Sequence, residues 1–335
     1  MISPDGVILS CLGLELSREE KSFFKSTNPF GFVLFKRNFK TRKQLIELIS
    51  QLRNSTKNKQ ILIFIDQEGG KVQRLVGNSF SKFQSQKFFG DIYMKDKRKA
   101  LDLAYKSSFI LGTELNSVKI NANFSPVCDL LLSGAHDIIG SRSFSSNPSI
   151  VYELSRAFCE GMKDSGVYPV LKHFPGHGRS KFDTHLNKSV IDSSYDELSE
   201  NDLVPFKLLN NETMVMLAHI IYKSIDSKVA TFSEKIIKEI LRKKLLFKGI
   251  VISDDLSMKA LEGSLNAKVK KAYSGGCDVV LYCHGLLKEM IDIYPHVTQI
   301  DRSRYNYFIS ELPQKKKSDT FEIKKELIKR GVISI

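Results

Sequence analysis

Residues 167–185 read VYPVLKHFPGHGRSKFDTH, and the order of their chemistry decides the architecture. An apolar run, Val167 to Leu171, leads straight into Lys172 and His173. Pro175, Gly176 and Gly178 then stop any helix or strand from continuing. The loop that follows ends in Asp183 and His185. A strand that empties into a loop carrying three histidines, a lysine and an aspartate reads as the rim of an active site, not as a core element.

The same pattern recurs on both sides of this stretch. Apolar, β-rich runs stand at 6–14, 31–35, 60–66, 120–129, 167–173, 214–222, 249–254 and 277–283. They are continuously apolar and do not alternate with polar residues, as strands read when a parallel sheet is covered on both faces. Helical patterns lie between them. Leu45, Ile46, Ile49 and Leu52 share one face of 41–55, and 97–117 is a long helical segment. Asn147 before Pro148 starts a helix over 148–165. Helices are also expected over 196–210, over 233–246 after Ser233, and over 264–275 with a stop at Gly275 and Gly276.

Eight strand–helix repeats in a chain of 335 residues predict an α/β fold, a single (β/α)8 TIM-type barrel over 1–300. The competing architecture is a doubly wound open sheet, but no GxGxxG follows the first run, so its dinucleotide version has no support. Residues 301–335 read as a basic C-terminal tail, partly helical, with an exposed basic segment at 313–325.

Composition narrows the function classes. A hydrophobic fraction of 42% with 26% charged residues is ordinary for a globular protein. The start, MISPDGVILSCLGLEL, reads as a first strand and not as a signal peptide, and no apolar run reaches the roughly 20 residues that span a bilayer. Five cysteines without a CxxC pair or metal spacing point to a reducing cytoplasm. The net charge of +14 invites a nucleic-acid reading. The lysines are scattered, however, with no aromatic-interleaved stripe, so a solvated basic surface is the expectation and no nucleic-acid or membrane partner is expected.

Reactive groups of such a barrel collect at the carboxyl ends of its strands. Here those ends carry Lys36, Arg37 and Asn38, then Asp66 and Glu68, Asp129, Lys172 and His173, His219, and Asp254 with Asp255. One acidic strand end is commonly a helix cap; several on one rim make a site. Asp254 is the nucleophile candidate by position, with Asp255 available to cap. His185 with Asp183 is the acid/base candidate, because imidazole titrates near neutrality and a carboxylate fixes its tautomer. The i, i+2 spacing puts both on one side of an extended segment. Zinc is the alternative for the histidines, but Phe-Pro-Gly between His173 and His177 keeps them off one helical face, and no metal is expected. No GxSxG is present to support a serine hydrolase. A sugar-binding barrel without catalysis and a DNA-associated basic protein stay open as other classes on these grounds.

The chain also resembles a known family in an ordered set of motifs. These are DQEGGKVQRL at 66–75, FSPVCDL at 124–130, IGSRSF at 139–144, KHFPGHG with Asp183-Thr184-His185, ELSENDLVPFKLL at 197–209, AHIIY at 218–222 and ISDDLSMKAL at 252–261. Together they resemble the β-N-acetylhexosaminidase branch of glycoside hydrolase family 3, the cytoplasmic β-N-acetylglucosaminidases of peptidoglycan recycling. The resemblance implies a single barrel and no cofactor. It implies retaining removal of terminal β-linked N-acetylglucosamine from N-acetylmuramic or anhydromuramic acid, with or without its peptide. It also implies roles: Asp254 as nucleophile, His185 as acid/base, Asp183 as its partner, and Asp66, Arg74, Arg142, Lys172 and His173 as sugar-binding residues. The expected partner is therefore a small muropeptide-derived amino sugar, acted on by a monomer. Thr184, Ser141, Arg179, Lys181 and Lys71 depart from the family's usual residues and bear on substrate preference.

Overall fold

The computed structural model describes residues 3–58, 61–77, 80–132, 137–180 and 189–334. Eight strand positions follow one another: β1 (Asp5–Leu9), β2 (Pro29–Leu34), β3 (Leu62–Ile65), β4 (Ala122–Asn123), β5 in two pieces (Tyr168–Pro169 and Leu171–Phe174), β6 (Met214–Leu217), β7 (Ile250–Asp255) and β8 (Val279–Leu281). Their pairings are parallel and run β4–β3–β2–β1–β8–β7–β6. Both ends of that order meet on β5. Its first piece sets Tyr168 opposite Ala122, and its second sets Leu171 opposite Val215. A Val127–Lys172 bridge brings the β4 side onto the second piece as well. The sheet closes on itself, so the chain is a (β/α)8 barrel and not an open doubly wound sheet.

The continuous apolar runs now have a cause. Along β3, Leu62 and Phe64 point into the barrel while Ile61, Ile63 and Ile65 pack outward under helices. Met214 and Met216, Ile250 and Ile252, and Val279 and Leu281 fill the interior in the same alternation, with Val215, Val251 and Val280 outside. Both faces of each strand are removed from water, which leaves no polar phase in the pattern. Phe64 and Phe124 stack across the interior with ring centroids 5.0 Å apart.

The amino end of the barrel is plugged by the segment expected as a tail. The helix Arg302–Ser310 sends Tyr305 and Phe308 into the interior cluster, and Phe308 packs 5.3 Å from Phe30 and 4.6 Å from Tyr168. Further on, the helix Thr320–Lys329 packs against Lys97–Ser117, and Ile333–Ser334 pairs antiparallel with Lys82–Phe83. The lysines just ahead of that helix are exposed, as are Lys325 and Lys329 on it. With the amino end filled, the carboxyl end is left for a site.

The helices start and stop where local chemistry places them. Asn147 Oδ1 accepts from Ser149 N at 2.9 Å ahead of Pro148–Asp164, and Gly276, at φ 113°, ends Leu265–Gly275. Ser233 Oγ accepts from Ile236 N at 3.1 Å and opens Lys235–Lys244, which is wound as a π-helix. The single helix expected over 196–210 is two, Tyr195–Glu200 and Val204–Leu208. Pro205 supplies no N–H to an uninterrupted ladder, and the chain turns between them to bury Asp202. Among the described residues no helix is long and apolar enough to cross a membrane.

Candidate active site

The carboxyl ends of the strands line a cavity of about 340 Å³. Its floor is a network of buried ions. Asp66, at the end of β3, accepts from Lys172 Nζ at 3.0 Å on one oxygen and from Arg74 Nη2 at 3.2 Å on the other. Burial opposes the Asp66 charge, but Lys172 and Arg74 outweigh it and hold the carboxyl below its usual range. The turn at Gly69 and Gly70, both at positive φ, reverses the chain and brings Arg74 back beside Asp66. At Gly70 a Cβ would meet Ser85 Cβ at 2.7 Å, so the turn takes no side chain there.

Glu68 occupies the same face two residues on. It is gripped by both Nε and Nη2 of Arg142, at 2.9 and 2.8 Å, and by Lys172 Nζ at 2.6 Å. Its side chain is 1% exposed, yet burial is overcome by Arg142 and Lys172, and the carboxyl stays ionised far below the ordinary range. Arg142 is pushed up in turn, burial being outweighed by Glu68. Arg142 stands on the one-turn helix Gly140–Arg142 and also donates to Ile138 O at 3.0 Å. Lys172 therefore bridges two carboxylates, and Arg142 acts on the pocket through Glu68. Sequence reasoning placed Glu68 among the strand-end groups of the rim but gave it no role; its i, i+2 spacing from Asp66 was the available signal.

Asp129 was likewise named at its strand end without a role. It is 1% exposed, and its Oδ2 lies 2.7 Å from His173 Nδ1. Its Oδ1 accepts from His173 N at 3.1 Å and from His177 N at 2.7 Å. That single carboxylate orients the His173 ring and ties down the loop that begins KHFPGHG. Gly178 lies so close to Leu130 that a Cβ would meet the carbonyl oxygen at 2.0 Å. His177 also lines the pocket, and burial with the neighbouring His173 lowers its pKa to about 4, so it is neutral at pH 7.

Across the cavity, β7 presents Asp254 and Asp255. Asp254 Oδ1 accepts from Asp255 N at 2.8 Å, which fixes one of its oxygens. Asp255 does not cap a helix, as sequence reasoning offered. Its carboxylate accepts from Ser257 N at 3.1 Å, Ser257 Oγ at 2.5 Å and Cys283 N at 3.2 Å, tying the β7 turn to the end of β8. Beneath them His219, 1% exposed, lies 3.0 Å from Asp255 O and 2.7 Å from Thr231 Oγ1, and burial lowers its pKa. It supports the strand end; it does not line the cavity.

Of the residues expected in the site, Asp66, Arg74, Arg142, Lys172, His173 and Asp254 line this one cavity. Asp183 and His185 lie outside the described residues. The cavity wall also includes Arg37, named at its strand end without a role, and Phe35 and His284, which sequence reasoning did not name. A larger cleft of about 520 Å³ lies elsewhere, between residues 227–234 and 270–275, and contains none of the expected site residues.

Comparison with known proteins points to one family and to the same fold. The profile of the glycosyl hydrolase family 3 N-terminal domain matches residues 4–303. A beta-hexosaminidase of Stenotrophomonas maltophilia is 36% identical over 297 residues, 88% of this chain and 87% of that one. A beta-hexosaminidase of Tolumonas auensis is 38% identical over 283 residues, 83% and 82% of the two chains. Among solved structures, NagZ from Neisseria gonorrhoeae in complex with N-trifluoroacetyl-D-glucosamine superposes with a TM-score of 0.85 at 31% identity, covering 99% of this chain and 96% of that one. The beta-N-acetylglucosaminidase from Thermotoga maritima does so with a TM-score of 0.74 at 28% identity, covering 95% and 69%.

Proposed function

The chain belongs to glycosyl hydrolase family 3, and from that premise we propose that it removes terminal β-linked N-acetylglucosamine from peptidoglycan fragments with retention of configuration. It is a glycoside hydrolase, a β-N-acetylhexosaminidase. The finer reading is that its substrate is N-acetylglucosamine joined to N-acetylmuramic or anhydromuramic acid, with or without peptide. The observation that carries this reading is the blind, ion-lined floor of the cavity. Packed interior side chains close it below, so it takes the end of a glycan and not the middle. Asp66, Lys172, Arg74 and His173 would hold the sugar's hydroxyls, and buried charged groups discriminate strongly because a sugar lacking a hydroxyl leaves them unpaired.

In this mechanism Asp254 attacks the anomeric carbon while the glycosidic bond breaks. His185, paired with Asp183, passes its proton to the departing oxygen. The same histidine then takes a proton from water, the water attacks the anomeric carbon, and the bond to Asp254 breaks. Two displacements at one centre give retention. The Asp255 N–H on Asp254 Oδ1 supports the role by setting the plane of the carboxylate. Buried thiols at Cys11, Cys128, Cys159 and Cys277 fit a reducing cytoplasm, where recycled wall fragments would be met.

A chromogenic β-N-acetylglucosaminide offered beside the corresponding β-glucoside tests the proposal. Hydrolysis of the first at least about 10²-fold faster is the expected result, since the site is built around one sugar. Equal rates, or binding of the sugar without turnover, would contradict it and favour a sugar-sensing barrel.

A further inference from the structure

Four fixed cations line the cavity, and three of them are spent on carboxylates. Lys172 pairs with Asp66 and Glu68, Arg74 with Asp66, and Arg142 with Glu68. Arg37 is different. Its Nε donates to Cys11 O at 3.3 Å, and its Nη2 donates to Ser10 Oγ at 2.8 Å and Cys283 O at 2.6 Å. Ser10 donates its own proton to Val33 O at 2.9 Å, so its oxygen is committed to accepting from the arginine. The guanidinium also lies over the Phe35 ring, 4.7 Å from its centroid. These partners are neutral, and among the described residues Arg37 has no carboxylate and its Nη1 has no partner. A planar cation held on three acceptors and an aromatic face, with its charge unanswered, is prepared for an anion from outside.

Its depth says which part of the substrate that anion belongs to. Lys172 has a side chain 3% exposed and lies on the floor, whereas Arg37 is exposed at the mouth. A terminal sugar fills the blind floor, so the group leaving it must lie toward the mouth. Arg37 is nevertheless close to the reacting end. Its Nη2 donates to Cys283 O, Cys283 N donates to Asp255 Oδ1 at 3.2 Å, and Asp255 N donates to Asp254 Oδ1 at 2.8 Å. We propose that Arg37 is the receptor for a carboxylate carried by the aglycone, and that it makes the enzyme prefer an acidic leaving group to the same group uncharged. This rests on the glycosidase reading above and names a specificity residue for it. The carboxylate is either the lactyl acid of the muramic unit or an acid of its peptide.

The experiment compares kcat/KM for N-acetylglucosaminyl-muramic acid and its methyl ester, and for a peptide-bearing disaccharide and its fully amidated form. Wild type, Arg37→Gln and Arg37→Lys are measured, with Lys36→Gln as a neighbouring loss of the same charge. In Arg37→Gln the acid-to-neutral ratio should fall about tenfold in one of the two pairs, which identifies the source. Arg37→Lys should retain part of the ratio, and Lys36→Gln should retain all of it. A purely structural Arg37 would slow acid and ester alike and leave both ratios unchanged, which would overturn the inference. If wild type cleaves none of the four, the glycosidase reading fails instead, so the two failures are distinguishable.

Discussion

Lys172 Nζ stands 2.6 Å from Glu68 Oε1, and both side chains are almost completely withdrawn from water. The pair is not isolated: the same ammonium reaches Asp66, and the same carboxylate holds Arg142. Removing one member of such a set leaves its partners buried and uncompensated, which costs far more than the intact pair contributes. Lys172→Met is expected to lower unfolding free energy by about 3–5 kcal/mol. It should also lower kcat/KM for an N-acetylglucosaminide by about 10²-fold or more, since Asp66 loses its orientation as well as its counter-ion. Glu68→Gln should also be destabilised, because it leaves the buried Arg142 without its carboxylate partner, and should lose activity chiefly through KM, because Glu68 positions Arg142 and Lys172. Urea melts beside Michaelis–Menten curves check both. Wild-type stability in Lys172→Met would mean that the floor is not a linked network.

Asp129 makes a prediction about acid. Burial opposes its charge, but His173 and the His177 N–H outweigh that cost, and the carboxyl is held below its usual value. A carboxyl lowered in the folded state contributes stability above its unfolded pKa, near 3.9, and loses it as pH falls through the folded value. Asp129→Asn should therefore be less stable than wild type at pH 7, by about 3 kcal/mol. The difference should shrink as pH falls below about 4. Urea midpoints across pH 3–7 measure it. A gap independent of pH would assign the loss to shape and not to charge.

Much of this was legible beforehand. Each of the eight apolar runs overlaps a barrel strand, because a strand buried on both faces leaves a sequence signal that needs no knowledge of its neighbours. Asp66, Lys172, His173 and Asp254 line the cavity and were readable as strand ends, where an apolar run stops; Arg74 and Arg142 line it too, but only the family resemblance had named them. What escaped depended on partners distant in sequence. Arg37 gains its meaning from Cys283, 246 positions away. Asp129 gains its own from a histidine on the next strand. Tyr305 and Phe308 belong to a short helix just ahead of the lysine run at 315–317, and a nine-residue helix beyond the eighth strand gives no sign of the barrel end that its two rings plug. The helix Arg18–Ser26 could have been found locally: Ser17 and Glu20 form a capping box, with hydrogen bonds of 3.0 and 2.7 Å.

His185 and Asp183 are tested by leaving group. Protonation matters little when a dinitrophenolate departs and greatly when a sugar alkoxide does. His185→Ala should lose about 10²–10⁴ in the glycosylation step with a disaccharide and much less with an activated aryl glycoside. Asp183→Ala should follow in the same direction with a smaller loss, since a neutral imidazole remains. Both should show a burst and then slow turnover on activated substrates, because the same histidine activates water. Losses equal for both leaving groups, without a burst, would mean that the two residues only brace their loop.

The central claim is that Asp254 becomes bonded to the sugar. A 2-fluoro or 5-fluoro N-acetylglucosaminyl-type substrate with a good leaving group slows release of that intermediate and lets it accumulate. Peptide mapping by mass spectrometry of the inactivated protein should place the sugar on Asp254, and Asp254→Ala should stay folded, unlabelled and inactive. A label on Asp255 or Glu68, or early product released as the α-anomer, would contradict the account.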